Sequence, residues 1–278
     1  MKKRLGILAA ALTAATLVHA GNITVKGSDT MVILGQKWAE VYMKDKPGNT
    51  VQVTGGGSGT GIAALLNGTT DICNSSRPMK ASEKADFVKK FKAAVHEYRM
   101  CMDGLSVYVH ESNPLTEISI PQLEAIFTGK TTNWKDVGGP DSPISLYGRE
   151  NSSGTYEFFK EHVLSKKDFA PATKTMPGTA AVIQGVSKDK LSIGYGGIAY
   201  GEGVKAVKVS KTTGSEAVEA TEENVLTGKY PIARYLFNYL APSVDTGTVA
   251  EYIDWCRSDT GQAVVKDVGY FPLPKNLR

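Results

Sequence analysis

Three times along this chain a short β-rich run ends in a turn of glycine and small hydroxyl residues that opens a helical pattern. The turns are Gly27-Ser28-Asp29-Thr30, Gly57-Ser58-Gly59-Thr60-Gly61 and Ser152-Ser153-Gly154-Thr155. A repeated strand–turn–helix unit limits the chain to an α/β architecture with strands running largely parallel. The start of each helix leaves backbone N–H groups without partners at the positive end of the helix dipole, and the turns add hydroxyl donors. Such junctions can hold a small oxyanion without a metal, and Arg77 and Arg149 lie just beside probable strand ends. The pattern points to capture of a tetrahedral anion.

Chain length and charge narrow the reading further. Met1-Lys2-Lys3-Arg4 is basic, Leu5–Val18 is apolar, and Val18-His19-Ala20 has the small residues of a cleavage site. This is the layout of a secretory signal peptide over residues 1–20, cleaved after Ala20, and it is too short for a stable transmembrane helix. An uncleaved anchor is the alternative. A free product in the periplasm follows from cleavage. With Lys2, Lys3 and Arg4 set aside, 29 basic residues face 28 acidic ones, so global charge cannot attract a ligand. No basic run occurs, which argues against nucleic acid as a partner. At this length one core becomes inefficient, and two lobes are the natural arrangement.

The order of elements suggests how two lobes are wired. Strands are expected at 23–26, 51–54 and 71–74, with helices at 33–42, 59–66 and 82–91 between and after them. Two strands, 95–102 and 105–109, lead to Ser112-Asn113-Pro114, which reads as a break between lobes. A second lobe then repeats the scheme: helix after 120, strand 144–148 delivering Arg149, helix 154–163, helix 180–186, and strands 192–195 and 204–209. The run 230–239 reads as a long strand returning to the first lobe, followed by a terminal helix over 246–256. Lobe I thus comprises 21–109 and 231–278, lobe II 110–230, and two crossings between them make a hinge.

Each motif has a plainer explanation to weigh. Simple N-capping would account for Gly27–Thr30. Five glycines within Gly55–Gly61 are harder to explain without unusual backbone angles or close approach to a ligand. The run does not fit a dinucleotide fingerprint, because Thr60 or Ile62 stands where the last glycine is needed, and Gly129-Lys130-Thr131 lacks the earlier glycine of a phosphate-binding loop, Glu124 standing there. Arg149-Glu150-Asn151-Ser152-Ser153-Gly154-Thr155 combines a planar cation with converging N–H and O–H donors, though an Arg149–Glu150 pair would be a purely structural use of it. Arg77, in Ser75-Ser76-Arg77-Pro78, offers a weaker version of the same arrangement. None of the four histidines, His19, His96, His110 and His162, sits in a triad context, and Thr60 spoils a nucleophile elbow around Ser58. Binding without catalysis is expected, and neither a metal nor a cofactor.

Cys73, Cys101 and Cys256 show no metal-ligand spacing. A Cys73–Cys101 bridge is open if their strands are neighbours; three buried thiols are the alternative.

Taken together, these residues resemble the periplasmic phosphate-binding proteins of ABC-type uptake systems. The resemblance covers the whole expected mature chain. It rests on the opening Gly-Ser-x-Thr turn, Gly57-Ser58-Gly59, Asp71-Ile72 leading to Ser75-Ser76-Arg77-Pro78, Ile126-Phe127-Thr128-Gly129-Lys130 with Asn133-Trp134, and Arg149 with Ser153-Gly154-Thr155. It implies a two-lobed periplasmic binding protein fold of type II, with two mixed sheets flanked by helices around a two-crossing hinge. It also implies a monomer that binds inorganic phosphate between the lobes and serves an inner-membrane ABC permease. Carried over by position, the ligands would come from Ser28, Asp29 and Thr30, Gly57 and Ser58, Ser76 and Arg77, Arg149, and Ser153, Gly154 and Thr155. Some members of the family place an aspartate near the position of Ser76 to accept the proton of hydrogen phosphate. Here Asp29, or else Glu150, is the nearest candidate for that role. Another tetrahedral oxyanion, a secreted phosphatase and a surface adhesion protein remain the competing readings.

Overall fold

The structure is a computed structural model that describes residues 21–278, so the leader expected over 1–20 lies outside the described residues. Strand β1 (Asn22–Gly27) runs through a 3-10 turn at Asp29–Met31 into α1 (Val32–Asp45), and β2 (Thr50–Thr54) runs into α2 (Ser58–Asn67). After β3 (Ile72–Ser75) and α3 (Ala81–Phe91) comes the long β4 (His96–Val109). The middle of the chain contains β5 (Glu117–Ser119), α4 (Ile120–Phe127), β6 (Ser145–Arg149), α5 (Gly154–His162), β7 (Lys174–Met176) and α6 (Thr179–Lys188). It continues with β8 (Ser192–Gly197), β9 (Lys205–Ser210) and α7 (Glu222–Leu226). The chain then returns through β10 (Ala233–Leu240) to α8 (Gly247–Arg257) and α9 (Asp259–Val268).

The strands follow one path, β2-β1-β3-β10-β4-β8-β6-β7, with β9 also beside β4 and β5 on β9. The βα units pair in parallel, whereas every pairing of β4 or β10 is antiparallel, β10 meeting β3 and β4, and β4 meeting β8 and β9. The sheet is therefore mixed rather than mainly parallel. The antiparallel strands are the ones that carry the chain from one half to the other.

Strand β4 makes the junction. Its first part, to Gly104, pairs with β10, and Leu105–Val109 pairs with β8 and β9. Asp103-Gly104 stands between the two strands expected at 95–102 and 105–109, and Asp-Gly is in isolation a turn signal. In the fold Asp103 is held extended opposite Arg234 of β10. Residues 105–109 thus pair with β8 and β9 and not with β10.

Each half has its own core on both faces. In the first, Leu34, Trp38, Ile72, Leu236 and Val265 pack on one side, and Ile62, Phe87 and Tyr239 on the other. In the second, Leu105, Phe127, Trp134, Phe159 and Tyr195 form the larger cluster and Tyr108, Tyr147 and Val182 the smaller. Separate clusters around a shared strand are what two lobes require.

The terminal helix expected over 246–256 is followed by another, α9, which was not anticipated. Ser258 separates them, its hydroxyl accepting the Gly261 N–H at 3.3 Å. The Cys73–Cys101 bridge does not form. Cys73 pairs with Tyr239 and Cys101 with Leu236, so β10 lies between their strands. Two strand spacings, about 9–10 Å, exceed the Cα separation a disulfide spans. All three thiols are free and buried, and burial pushes their pKa values up.

Candidate functional site

Four hydroxyls from distant parts of the chain meet at the junction of the two halves. Thr30 sits in the turn that leads to α1, Ser58 is the first residue of α2, Ser76 follows β3, and Thr155 lies in the first turn of α5. All four residues are fully buried. Thr30 Oγ1 lies 2.8 Å from Thr155 Oγ1, Thr155 Oγ1 lies 3.3 Å from Ser76 Oγ, and Ser76 Oγ lies 3.3 Å from Ser58 Oγ. The Ser76 N–H donates to Ser58 Oγ at 3.0 Å. Hydroxyls are costly to bury without a shared partner. Here Thr30, Ser58 and Thr155 gather at the starts of helices, where an anion is favoured, and Ser76 joins them from the loop after β3.

Two buried Asp–Arg pairs flank this cluster. Arg149 Nη2 donates to Asp29 Oδ2 at 2.6 Å and Nη1 to Thr179 Oγ1 at 2.8 Å, while the Gly56 N–H donates to Asp29 Oδ1 at 2.8 Å. The second pair joins the hinge strands. Arg234 Nε and Nη2 donate to Asp103 Oδ2 at 3.0 and 2.8 Å, and the Ile198 N–H donates to Asp103 Oδ1 at 3.0 Å. Arg234 also reaches the Ser76 carbonyl through Nη1 and Thr155 Oγ1 through Nη2, both at 3.0 Å. Each guanidinium is matched by a carboxylate, which is what makes its burial tolerable. Phenol hydroxyls steady the same turn, Tyr200 donating to the Asp29 carbonyl at 2.7 Å and Tyr270 to that of Thr30 at 2.6 Å. Burial raises the pKa of both phenols, which keeps them neutral donors.

The other expected site residues have distinct roles. Ser28 works through its backbone, its N–H donating to the Asn74 carbonyl at 2.9 Å and its carbonyl accepting from Met31. Gly57 has φ 92°, and a Cβ there would meet the Ser152 carbonyl oxygen at 2.5 Å, so the glycine run serves close approach. The Gly59 N–H donates to that same carbonyl at 2.9 Å. Ser153 caps α5, its hydroxyl accepting from Thr155 N and Tyr156 N at 3.2 Å each. Gly154 lies against Ser58 and Ser76, where a Cβ would collide with the Ser58 hydroxyl.

One expectation and one plainer alternative are corrected. Arg77 is not brought into the hydroxyl cluster, because its Nη1 and Nη2 close on Glu83 at 2.8 and 2.7 Å, and Nη1 also reaches the Pro78 carbonyl. Burial alone would raise the Glu83 pKa, but the Arg77 fork and the Lys80 N–H outweigh it and hold the carboxyl below the ordinary range. Glu150 is not the partner of Arg149; Asp29, distant in sequence, is. Sequence reasoning missed Arg234, Asp103 and Thr179. Arg234 did leave a signal, a lone charge inside the apolar run Ile232–Leu240, where a strand buried on both faces has no solvent to receive it.

A two-lobed α/β protein with hydroxyls and balanced guanidinium groups at the interlobe helix starts has the build of an extracytoplasmic solute-binding protein. Residues 13–260 match the family model described as a PBP superfamily domain. The chain is 36% identical over 274 residues to the phosphate-binding protein PstS of Pseudomonas aeruginosa PAO1, covering 93% of this chain and 85% of that one. It is 32% identical over 256 residues to PstS of Bacillus subtilis, covering 91% and 81%. A Clostridium perfringens structure, assigned as a phosphate ABC transporter substrate-binding protein and containing phosphate, superimposes with a TM-score of 0.84 at 29% identity, covering 91% of this chain and all of that one. An ABC-type phosphate transport receptor from Vibrio cholerae gives 0.71 at 28%, with coverage of 91% and 100%. The chain belongs to the PBP superfamily, within its PstS-like phosphate-binding proteins.

Proposed function

We propose that this protein captures inorganic phosphate between its lobes and delivers it to an inner-membrane ABC permease. The observation that carries this reading is the convergence of the Thr30, Ser58, Ser76 and Thr155 hydroxyls, buried and within 3.3 Å of a neighbour, three of them at the starts of separate helices and Ser76 in the loop after β3. These hydroxyls, the first-turn amides of α5 and Arg149 are the proposed ligands. Asp29 orients Arg149, and Ser28, Gly57, Ser153 and Gly154 shape the turns. An anion entering the cluster exchanges hydroxyl–hydroxyl contacts for charge-assisted ones, which are stronger in a water-excluded site.

In this reading the lobes are 21–104 with 231–278, and 105–230, hinged where β4 and β10 cross between them. The protein is a monomer, binds without turnover, and reaches the periplasm after cleavage of residues 1–20. Among the described residues no helix is long and apolar enough to cross a membrane.

The test is a thermal-shift panel of phosphate, arsenate, sulfate and molybdate on ligand-stripped protein. Phosphate raises the melting temperature with its concentration, because a ligand that binds only the native form stabilises it. No shift with phosphate overturns the reading, and hydrolysis of a chromogenic phosphate ester by pure protein overturns the absence of turnover.

A further inference from the structure

Arg234 lies outside every motif that marks the anion site, yet from β10 it reaches the Ser76 backbone carbonyl and the Thr155 hydroxyl. Its strand, β10, returns the chain to the first lobe, and its partner Asp103 stands directly opposite on β4, one residue before that strand changes partners. Asp103 and Arg234 are buried to 0% and 4% exposure. Nη1 donates to the Ser76 carbonyl, on the first lobe, and Nη2 to Thr155 Oγ1, on the second, each at 3.0 Å.

A guanidinium can only donate. In the chain Thr30–Thr155–Ser76–Ser58, Arg234 therefore occupies a lone pair of the Thr155 hydroxyl, and the Ser76 N–H does the same to Ser58 at one end. Each hydroxyl has two acceptor sites and one proton. With obligate donors at Thr155 and Ser58, fewer lone pairs within the set are left to accept its own protons, which favours their donation to an acceptor that enters. Asp103 cancels the charge, so what Arg234 supplies at Thr155 is direction rather than net attraction.

Resting on the reading of this site as a phosphate pocket, we propose that Arg234 is a positioning residue that orients the Thr155 hydroxyl and its neighbours as donors to the bound anion. It acts through Thr155, and its charge is held in place by Asp103 across the hinge.

The experiment is a double-mutant cycle of Arg234→Lys and Thr155→Val, with phosphate affinity measured by calorimetry and ligand-free melting temperature measured alongside. Lysine keeps a cation for Asp103 but cannot serve Asp103, the Ser76 carbonyl and Thr155 in the planar geometry of a guanidinium. In the wild-type background Arg234→Lys weakens phosphate binding roughly 10-fold or more, as expected for losing one charge-assisted bond. In the Thr155→Val background it changes affinity by less than about 2-fold, because the residue it acts through is gone. Equal losses in both backgrounds, or unaltered affinity with only a lower melting temperature, overturn the proposal. Should Arg234→Lys fail to fold, Asp103→Asn with Arg234→Gln removes both charges together and enters the same cycle with the same criteria. Wild-type protein that binds no phosphate overturns instead the reading on which the proposal rests.

Discussion

The two buried Asp–Arg pairs beside the hydroxyl cluster look alike in chemistry and differ in where their ends are anchored. Asp29 lies in the 3-10 turn after β1 and Arg149 at the end of β6, and the Asp29 side chain retains 16% exposure. Asp103 and Arg234 stand on adjacent strands of one sheet, with side chains exposed by 0% and 2%. Opening of the proposed cleft would part the first pair, whereas the second is fixed by the pairing of β4 with β10. The first pair is thus the one expected to follow closure, and the second belongs to the fold while still reaching the hydroxyl cluster.

The sharpest way to break this comparison is to unbalance each pair in turn. Asp103→Asn leaves Arg234 buried without its counter-charge and lowers the unfolding free energy by about 4 kcal/mol in urea titrations. Asp29→Asn, where the carboxylate keeps some exposure although Arg149 is buried, lowers ligand-free stability by less, about 2 kcal/mol. Equal losses would show that the lobe-spanning pair is also a structural one. Next in size, Arg149→Ala weakens phosphate binding by about 3 kcal/mol, on the order of a hundredfold in calorimetry, because a buried charged donor is lost.

Closure can be probed without touching a charge. A Cβ at Gly154 would meet Ser58 and Ser76 on the facing lobe. Gly154→Ala is therefore expected to cost about 2 kcal/mol of phosphate affinity through overpacking, with the ligand-free melting temperature unchanged.

The smallest effect belongs to Arg77–Glu83, a third pair that serves structure alone. Its carboxyl has a lower pKa folded than unfolded, so its stabilising contribution is fully present above the unfolded value. It is lost as pH falls through the folded one. Glu83→Gln thus lowers stability by about 1 kcal/mol near neutrality, and the difference from wild type vanishes in acid. Phosphate affinity at neutral pH stays as in wild type; a large loss would return Arg77 to the site.

Much of this architecture was legible before any coordinates. The βα units, the glycine run and the Arg149–Thr155 turn are local patterns, in which a strand end, a cap and a helix start follow one another within a few residues. Thr30, Ser58 and Thr155 lie in such patterns, whereas Ser76 was named through the family resemblance. What misled were the places where a local signal was overridden from afar. Asp103-Gly104 is a turn signal in isolation and mid-strand in the fold, because Arg234 offers Asp103 a partner only across the sheet. Arg77 resembled a ligand because Glu83 is invisible as a partner until α3 packs beside it.

By itself the sequence determined the strand–turn–helix units and the hydroxyl-rich helix starts, since these depend on backbone conformation and capping among near neighbours. Only the tertiary structure decided which arginine serves the site and which carboxylate balances it. Asp29 and Arg149 are 120 residues apart in the chain and Asp103 and Arg234 are 131. Charge pairing over such separations follows from sheet order and lobe closure, and no local preference encodes either.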